Sequence, residues 1–445
     1  MIASEPEIEL EPTVSVSLRA RFGNGVVWNL AASLLNQGSA FLISIVMARL
    51  LGRSTFGQYA MVQSTLLTLC LIAQLATGST AVKYVAEFRL TNKEKTGRIL
   101  GICSLTSLTM LSVVALSLLI GAPYLATFAL KAPHLAPALR IGAGVLLFAG
   151  INGYQTGALA GLETYRSLAQ AAVINACLSV ILSCVGAWVM GLNGAICGLL
   201  FSNLLQWLIL RYHLKRECSR NGITISYRGL TDEWPIITRF ALPAALSGLI
   251  SMPALWLANA YLARQPSGYS QMALYSAAMN LRVLVLFLPN IVNSVGISLL
   301  NNHMGTRDGD RYKKIFWGNM GLTVSAALVA ATVVWLVGPT LLKMFGKSFV
   351  AGNQVVSVLV LAGIVEAAAI SAYQVLQSQE RIWLSLFAIS IPRDSLILLL
   401  AYIMVPLYGA VGLACAYTIG WTLALIIICI LSVRIGLTRA FATKQ

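Results

Sequence analysis

The 445-residue chain is 58% hydrophobic and only 10% charged, with 31 Lys and Arg against 15 Asp and Glu and a formal charge of +16. A soluble globular protein carries about a quarter charged residues and could not bury this much apolar surface. That excludes a soluble enzyme, a secreted disulfide scaffold and a disordered regulator, and makes lipid the solvent for most of the chain.

In chain order, residues 1–25 read as a cytoplasmic tail. Its Glu5, Glu7, Glu9 and Glu11 stand where a cleavable signal would have a basic start. A spanning helix needs about 20 mostly apolar residues. Such runs fall at 26–48, 56–79, 99–121, 138–160, 168–190 and 193–211, then, after a polar cytoplasmic linker at 212–236, at 237–262, 271–298, 316–338, 354–376, 384–405 and 408–432. Residues 433–445 form a C-terminal tail. The expected architecture is therefore an all-α integral membrane protein of twelve transmembrane helices, in two six-helix lobes at 26–211 and 237–432. Gly191 to Gly194 mark a tight turn, and Pro253, Pro289 and Pro392 mark kinks.

The basic residues orient the chain. With the N-terminus inside, inside segments hold 21 Lys and Arg and outside segments 7. That predicts both termini in the cytoplasm. The same rule accounts for the net charge without any nucleic-acid partner. The eight cysteines lack metal-ligand spacing, and His134, His213 and His303 are far apart, so no metal site is expected. No GK[ST] phosphate loop is present, and no outside loop is long enough to fold into a catalytic domain. Function must lie between the helices.

The halves repeat weakly. Ala48-Arg49 matches Ala263-Arg264, Tyr154-Gln155 matches Tyr373-Gln374, and Gly194-Ala195-Ile196 matches Gly409-Ala410-Val411, all at offsets of 215 to 219. Six spans per half predicts a pseudo-two-fold axis along the membrane normal and a central cleft.

Several segments carry a resemblance to a known family. They are Ala48-Arg49-Leu50-Leu51-Gly52-Arg53-Ser54-Thr55-Phe56-Gly57-Gln58-Tyr59, Lys83-Tyr84-Val85-Ala86-Glu87, Gly161-Leu162-Glu163 and Val405-Pro406-Leu407-Tyr408-Gly409-Ala410-Val411-Gly412-Leu413-Ala414. Together the chain resembles the bacterial polysaccharide exporters, which include the O-antigen flippases. Their superfamily also holds the multidrug and toxin extrusion transporters and the lipid II flippases. The resemblance implies an inner-membrane flippase serving surface polysaccharide synthesis. Its cargo would be an undecaprenyl-diphosphate-linked glycan, moved from the inner to the outer leaflet. A polysaccharide polymerase or chain-length regulator would be its partner, beside membrane lipid.

Ionisable residues inside spans are functional candidates. Arg282 lies near the middle of the eighth span with Asn280, Asn290 and Asn293 on the same helix. A guanidinium there would suit a diphosphate by bidentate bonding; the alternative is a structural arginine held by a neighbouring helix. Arg49, Arg53 and Arg264, at outside turns, could receive the anionic head as the cleft opens, or snorkel to lipid phosphates. Glu366 and Arg393 sit at matching depths on consecutive antiparallel spans, which predicts an ion pair. That pair leaves Asp394, beside Pro392, to carry a proton or sodium ion for antiport, or to lock the lobe. Asn36, Gln37, Tyr154 and Gln155 could bond sugar hydroxyls, or simply join helices. The competing functions are a multidrug exporter, which calls for an acidic cavity, and a membrane glycosyltransferase, polymerase or ligase. No cofactor is expected beyond proton or sodium coupling.

Overall fold

With so few polar residues, backbone geometry rather than hydrophobic patterning decides where helices stop. The computed structural model describes residues 18–238, 242–303, 309–377 and 382–442, and the side chains within 37–238, 251–293, 316–374 and 384–432. All regular structure among these residues is helical.

The first half contains α1 (Leu18–Gln74), α2 (Thr77–Phe88), α3 (Lys93–Tyr124, continued by a π-helical turn at Leu125–Ala129), α4 (Ala136–Gly161) and α5 (Tyr165–Arg220). The short α6 (Trp234–Ile236) precedes α7 (Leu242–Ala263), α8 (Gly268–His303), α9 (Gly309–Phe345) and α10 (Asn353–Gln377). The turn α11 (Ile382–Ser385) leads into α12 (Ile391–Ala442). Among the described residues, eight helices are long and apolar enough to cross a membrane.

Three of the helices are too long for one crossing. At 57, 56 and 52 residues, α1, α5 and α12 would each run to about 80 Å, against a hydrocarbon core of about 30 Å. Each is broken at a glycine with positive φ: Gly52 at 75°, Gly191 at 57° and Gly409 at 55°. An L side chain is disfavoured in that region, so glycine is what lets the chain turn there.

A further break was not expected. The run at 56–79 is interrupted by left-handed Leu75 and Ala76, and α2 carries the helix on to Phe88. Two consecutive non-glycine residues in that conformation store strain of about 1–3 kcal/mol each. The linker at 212–236 also differs from a free loop. Helix α5 runs on to Arg220, and the extended stretch after it lies on α3. There Ser226 N donates to Gly97 O at 3.2 Å, and buried Glu233 pairs with Arg98 at 3.2 Å. Gly97 and Gly101 permit this contact, because a Cβ on either would collide with the carbonyl oxygens of Thr224 and Ser226. Gly97→Val is therefore expected to lift the linker off α3 and to cost about 1–3 kcal/mol. Limited proteolysis should show faster cleavage between Arg220 and Arg228, with a lower Tm.

The apolar core tells where the halves meet. One large cluster joins Met47, Phe56, Tyr59, Leu130, Leu135 and Ile196 of the first half with Leu281, Phe345, Phe349, Leu359, Ala410 and Leu413 of the second. Of these, Phe56, Ile196 and Ala410 follow the turns at Gly52, Gly191 and Gly409 in sequence. Towards the opposite ends of the helices the core divides. Val85, Ile99, Leu159 and Leu214 of the first half cluster with the linker and its end at Ile237, and Ala369, Ala372, Ile389, Ala424 and Ile428 cluster within the second half. Among the described residues, then, the halves are sealed at one end and packed separately at the other.

Candidate functional site

The sealed end is built on Arg49 and Arg53, which flank the Gly52 turn of α1. Arg49 Nε donates to Met344 O at 2.6 Å and its Nη2 to Lys343 O at 3.4 Å. Arg53 Nε donates to Ser270 O at 3.2 Å and its Nη1 to Ser348 O at 3.3 Å. The last-turn carbonyls of α9 form the negative end of its dipole, which makes a cation a natural cap, and Lys343 O also accepts from Gly346 N at 3.2 Å. Behind the arginines, Phe41 and Phe56 meet Phe345 edge-on at centroid distances of 5.8 and 6.3 Å, and Phe56 meets Phe349 at 5.8 Å. Bare Gly57 lets the backbone of α1 touch that of Tyr269, and Tyr269 Oη donates to Leu130 O at 2.9 Å. Arg49 and Arg53, for which the sequence left open receipt of an anionic headgroup or snorkelling to lipid phosphates, bond backbone carbonyls across the halves. Arg264 is exposed like Arg49, but differs from both in that its side chain has no partner among the described residues.

Three helices of the second half bring a buried charge pair together. Arg282 of α8 forms an ion pair with Glu366 of α10, and both bond Tyr417 Oη of α12, at 3.0 and 3.1 Å. Arg282 is only 9% exposed and Glu366 7%. Gly363, one turn before Glu366, faces the Arg282 stem and leaves room for it. Arg282 is thus held by a neighbouring carboxylate rather than standing free to meet cargo; its buried Nε is left without a partner.

The expected Glu366–Arg393 pair is replaced by two separate ones. Arg393 bonds its own neighbour Asp394 at 2.7 Å, Ser251 Oγ joins both at 3.0 and 2.6 Å, and the guanidinium lies 4.6 Å from the Trp421 ring centre. The expectation rested on matching depth along the two helices. Depth does not fix azimuth, however, and a helix turns 100° per residue. Asp394, only 2% exposed, ties α12 to α7 through Ser251.

Of the remaining sequence-based candidates, Tyr154 is buried and donates to Leu100 O at 2.8 Å, a helix-joining role. Gln155 is buried with its Oε1 unpartnered, and Gln37 is exposed. The Asn36 side chain lies outside the described residues. A polar network went unforeseen: Asn319 of α9 reaches Asn293 of α8 and Ser371 and Gln374 of α10, at 3.5, 3.4 and 3.1 Å. The repeat of Tyr154-Gln155 as Tyr373-Gln374 was the signal that pointed to it. No cluster of metal-ligating side chains occurs among the described residues.

Comparison with known proteins bears on what this arrangement serves. A family model described as "Polysaccharide biosynthesis protein" matches residues 22–297. The EPS I polysaccharide export inner membrane protein EpsE of Ralstonia solanacearum is 24% identical over 323 residues, which cover 69% of this chain and 71% of that protein. EpsE of Ralstonia nicotianae is 24% identical over 337 residues, covering 72% and 74%. Among solved structures, an inward-facing multidrug resistance MATE family transporter of the MOP superfamily matches with a TM-score of 0.74 at 16% identity, over 97% of both chains. A MOP superfamily transporter from Pyrococcus furiosus, whose description notes a binding pocket of reversed polarity, matches with a TM-score of 0.69 at 18% identity, over 95% and 96%. These likenesses establish a MATE-like fold.

Proposed function

The chain belongs to the polysaccharide biosynthesis protein family, and we propose that it is a flippase for a lipid-linked glycan. In this reading it carries an undecaprenyl-diphosphate-linked oligosaccharide from the inner to the outer leaflet of the bacterial inner membrane, by alternating access and without enzymatic chemistry. Splitting α1, α5 and α12 at their glycine turns, and counting α7, turns eight candidate helices into twelve spans. These form two six-helix lobes with both termini in the cytoplasm. The end held by Arg49 and Arg53 is then the outer face, and the divided core is an inward-facing cleft. The observation that carries the proposal is the family match over most of the chain, joined to halves that are fastened at one end only.

The two buried pairs of the second lobe supply the coupling. Each carboxylate, Glu366 or Asp394, neutralises an arginine in the described state. Exchange of that arginine for a proton or a sodium ion would free the guanidinium and loosen the lobe. A multidrug exporter of the same fold would need unpaired carboxylates for cationic drugs, whereas Glu366 and Asp394 are both neutralised. Deletion in the native host is expected to make lipid-linked oligosaccharide accumulate on the cytoplasmic leaflet. Loss of its synthesis would point to an enzyme, and a gain in drug sensitivity with normal glycan export to a drug transporter.

A further inference from the structure

The two-fold repeat makes a prediction that the structure fulfils on one side of the molecule and leaves unfulfilled on the other. At the 215-residue offset, Phe41 corresponds to Trp256, Arg49 to Arg264, Met344 to Ala129 and Phe345 to Leu130. On the first side, Arg49 caps the carbonyls at the end of α9, and phenylalanines fill the space behind it. On the second side, the same positions surround a crevice of about 240 Å³. It lies between Ala129, Trp256, Leu257 and Arg264, and is bounded by Leu398 and Tyr402 of α12. Among the described residues Arg264 finds no carbonyl to cap, and Leu130 stands where Phe345 stands on the first side. Leu257 and Tyr402 are 50% and 67% exposed, so the crevice opens sideways among apolar side chains at the membrane-facing surface.

We propose that this crevice binds an anionic membrane phospholipid, with its phosphate on Arg264 and one acyl chain along Leu257, Leu398 and Tyr402. The phosphate supplies the acceptor that the α9 carbonyls supply to Arg49, as a charge-assisted and shorter bond. The acyl chain fills the volume that phenylalanine fills on the other side. Both halves contribute walls, so the lipid fastens one seam of the closed outer face as side chains fasten the other. The assignment requires only that the chain lies in a bilayer, and it holds whatever the cargo.

Trp256 lines the crevice and reports on it. The full chain is reconstituted in phosphatidylcholine bilayers containing a minor fraction of chain-brominated lipid, carrying either a phosphatidylglycerol or a phosphatidylcholine headgroup. The fluorescence belonging to Trp256 is the difference between wild type and Trp256→Phe. Brominated phosphatidylglycerol is expected to quench it several-fold more than the same fraction of brominated phosphatidylcholine. Arg264→Gln should bring that ratio to about one. Ala129→Phe, which fills the crevice and leaves the arginine in place, should remove the quenching by both headgroups. Equal quenching by the two lipids in the wild type, or a preference that survives Arg264→Gln, would overturn the proposal. Displacement by unbrominated undecaprenyl phosphate but not by unbrominated phosphatidylglycerol would also overturn it, and would reassign the crevice to the carrier lipid.

Discussion

Arg282→Ala is expected to destabilise the protein by about 3–5 kcal/mol, because it leaves the Glu366 carboxylate buried among helices with only a tyrosine for company. Glu366→Gln should cost less: it strands the guanidinium but keeps a hydrogen-bond acceptor beside it. Tyr417→Phe removes one hydroxyl from both charges and should cost about 1 kcal/mol. The decisive variant is the double replacement Arg282→Met with Glu366→Leu. A buried ion pair exchanged for apolar residues of similar volume is often neutral or even stabilising, so the double variant should recover most of the Tm that either single change loses. Thermal unfolding in detergent, read beside glycan export in a complemented deletion strain, separates two roles. A stable double variant that still exports makes the pair structural. A stable double variant that has lost export makes it part of the transport cycle, as proposed. If Arg282→Ala leaves the Tm unchanged, the buried pair itself is refuted.

Much of the fold could be read from the sequence because lipid imposes simple demands. Apolar runs of the required length located the helices, and Gly52 and Gly191 fell in the gaps between runs, whereas the turn at Gly409 lies inside the run expected at 408–432. The break at Leu75–Ala76 was not visible, since neither residue is a turn former. Its conformation is imposed by packing. In that packing Gly78 and Gly157 let α2 and α4 touch backbone to backbone, with the Gln74 side chain against Gly153. The docking of the linker was hidden for a related reason. It depends on Gly97 and Gly101 presenting a bare helix face, and in an apolar helix such glycines look like any others.

The site was legible in its members and illegible in its pairings. Arg282, Glu366, Arg393 and Asp394 stood out because charges in a span are expensive, and all four are buried or nearly so. Which charge meets which depends on helix rotation and on bystanders such as Ser251 and Tyr417, whose polar atoms carry no distinctive pattern in sequence. Arg49, Arg53 and Arg264 show the limit most clearly. Arg49 and Arg264 share the same Ala-Arg context, yet one caps a helix and the other faces a gap. The difference lies almost 300 residues from Arg49, in Met344 and Phe345, and in the smaller Ala129 and Leu130 that replace them on the other side. It becomes readable only once the repeat is aligned.

In the proposed orientation, replacing both Arg49 and Arg53 with alanine is expected to shift the protein towards an outward-open state. The four guanidinium-to-carbonyl bonds join α1 to segments of the other half. A hydrogen bond to a charged group is worth about 1.5–3 kcal/mol when shielded and less where exposed, so the two arginines together hold the seam by about 2–4 kcal/mol. Losing that much changes the ratio of open to closed outer face by roughly 30-fold to 800-fold, enough to invert a modest preference. The aromatic cluster of Phe41, Phe56, Phe345 and Phe349 remains, so the seam should loosen without unfolding. Spin labels at Ser54 and Lys347, which are exposed and lie beside the bonded residues, would report the change as a longer distance population in a cysteine-free background. Export should fall at the same time, since a transporter held outward-open loads less cargo from the inner leaflet. Arg53→Lys should rescue little, because a lysine offers one compact donor group where Arg53 reaches Ser270 and Ser348 with two separate nitrogens. An unchanged distance distribution in the double alanine variant would mean that the seam is held by its phenylalanines alone and that the arginines are incidental to the cycle.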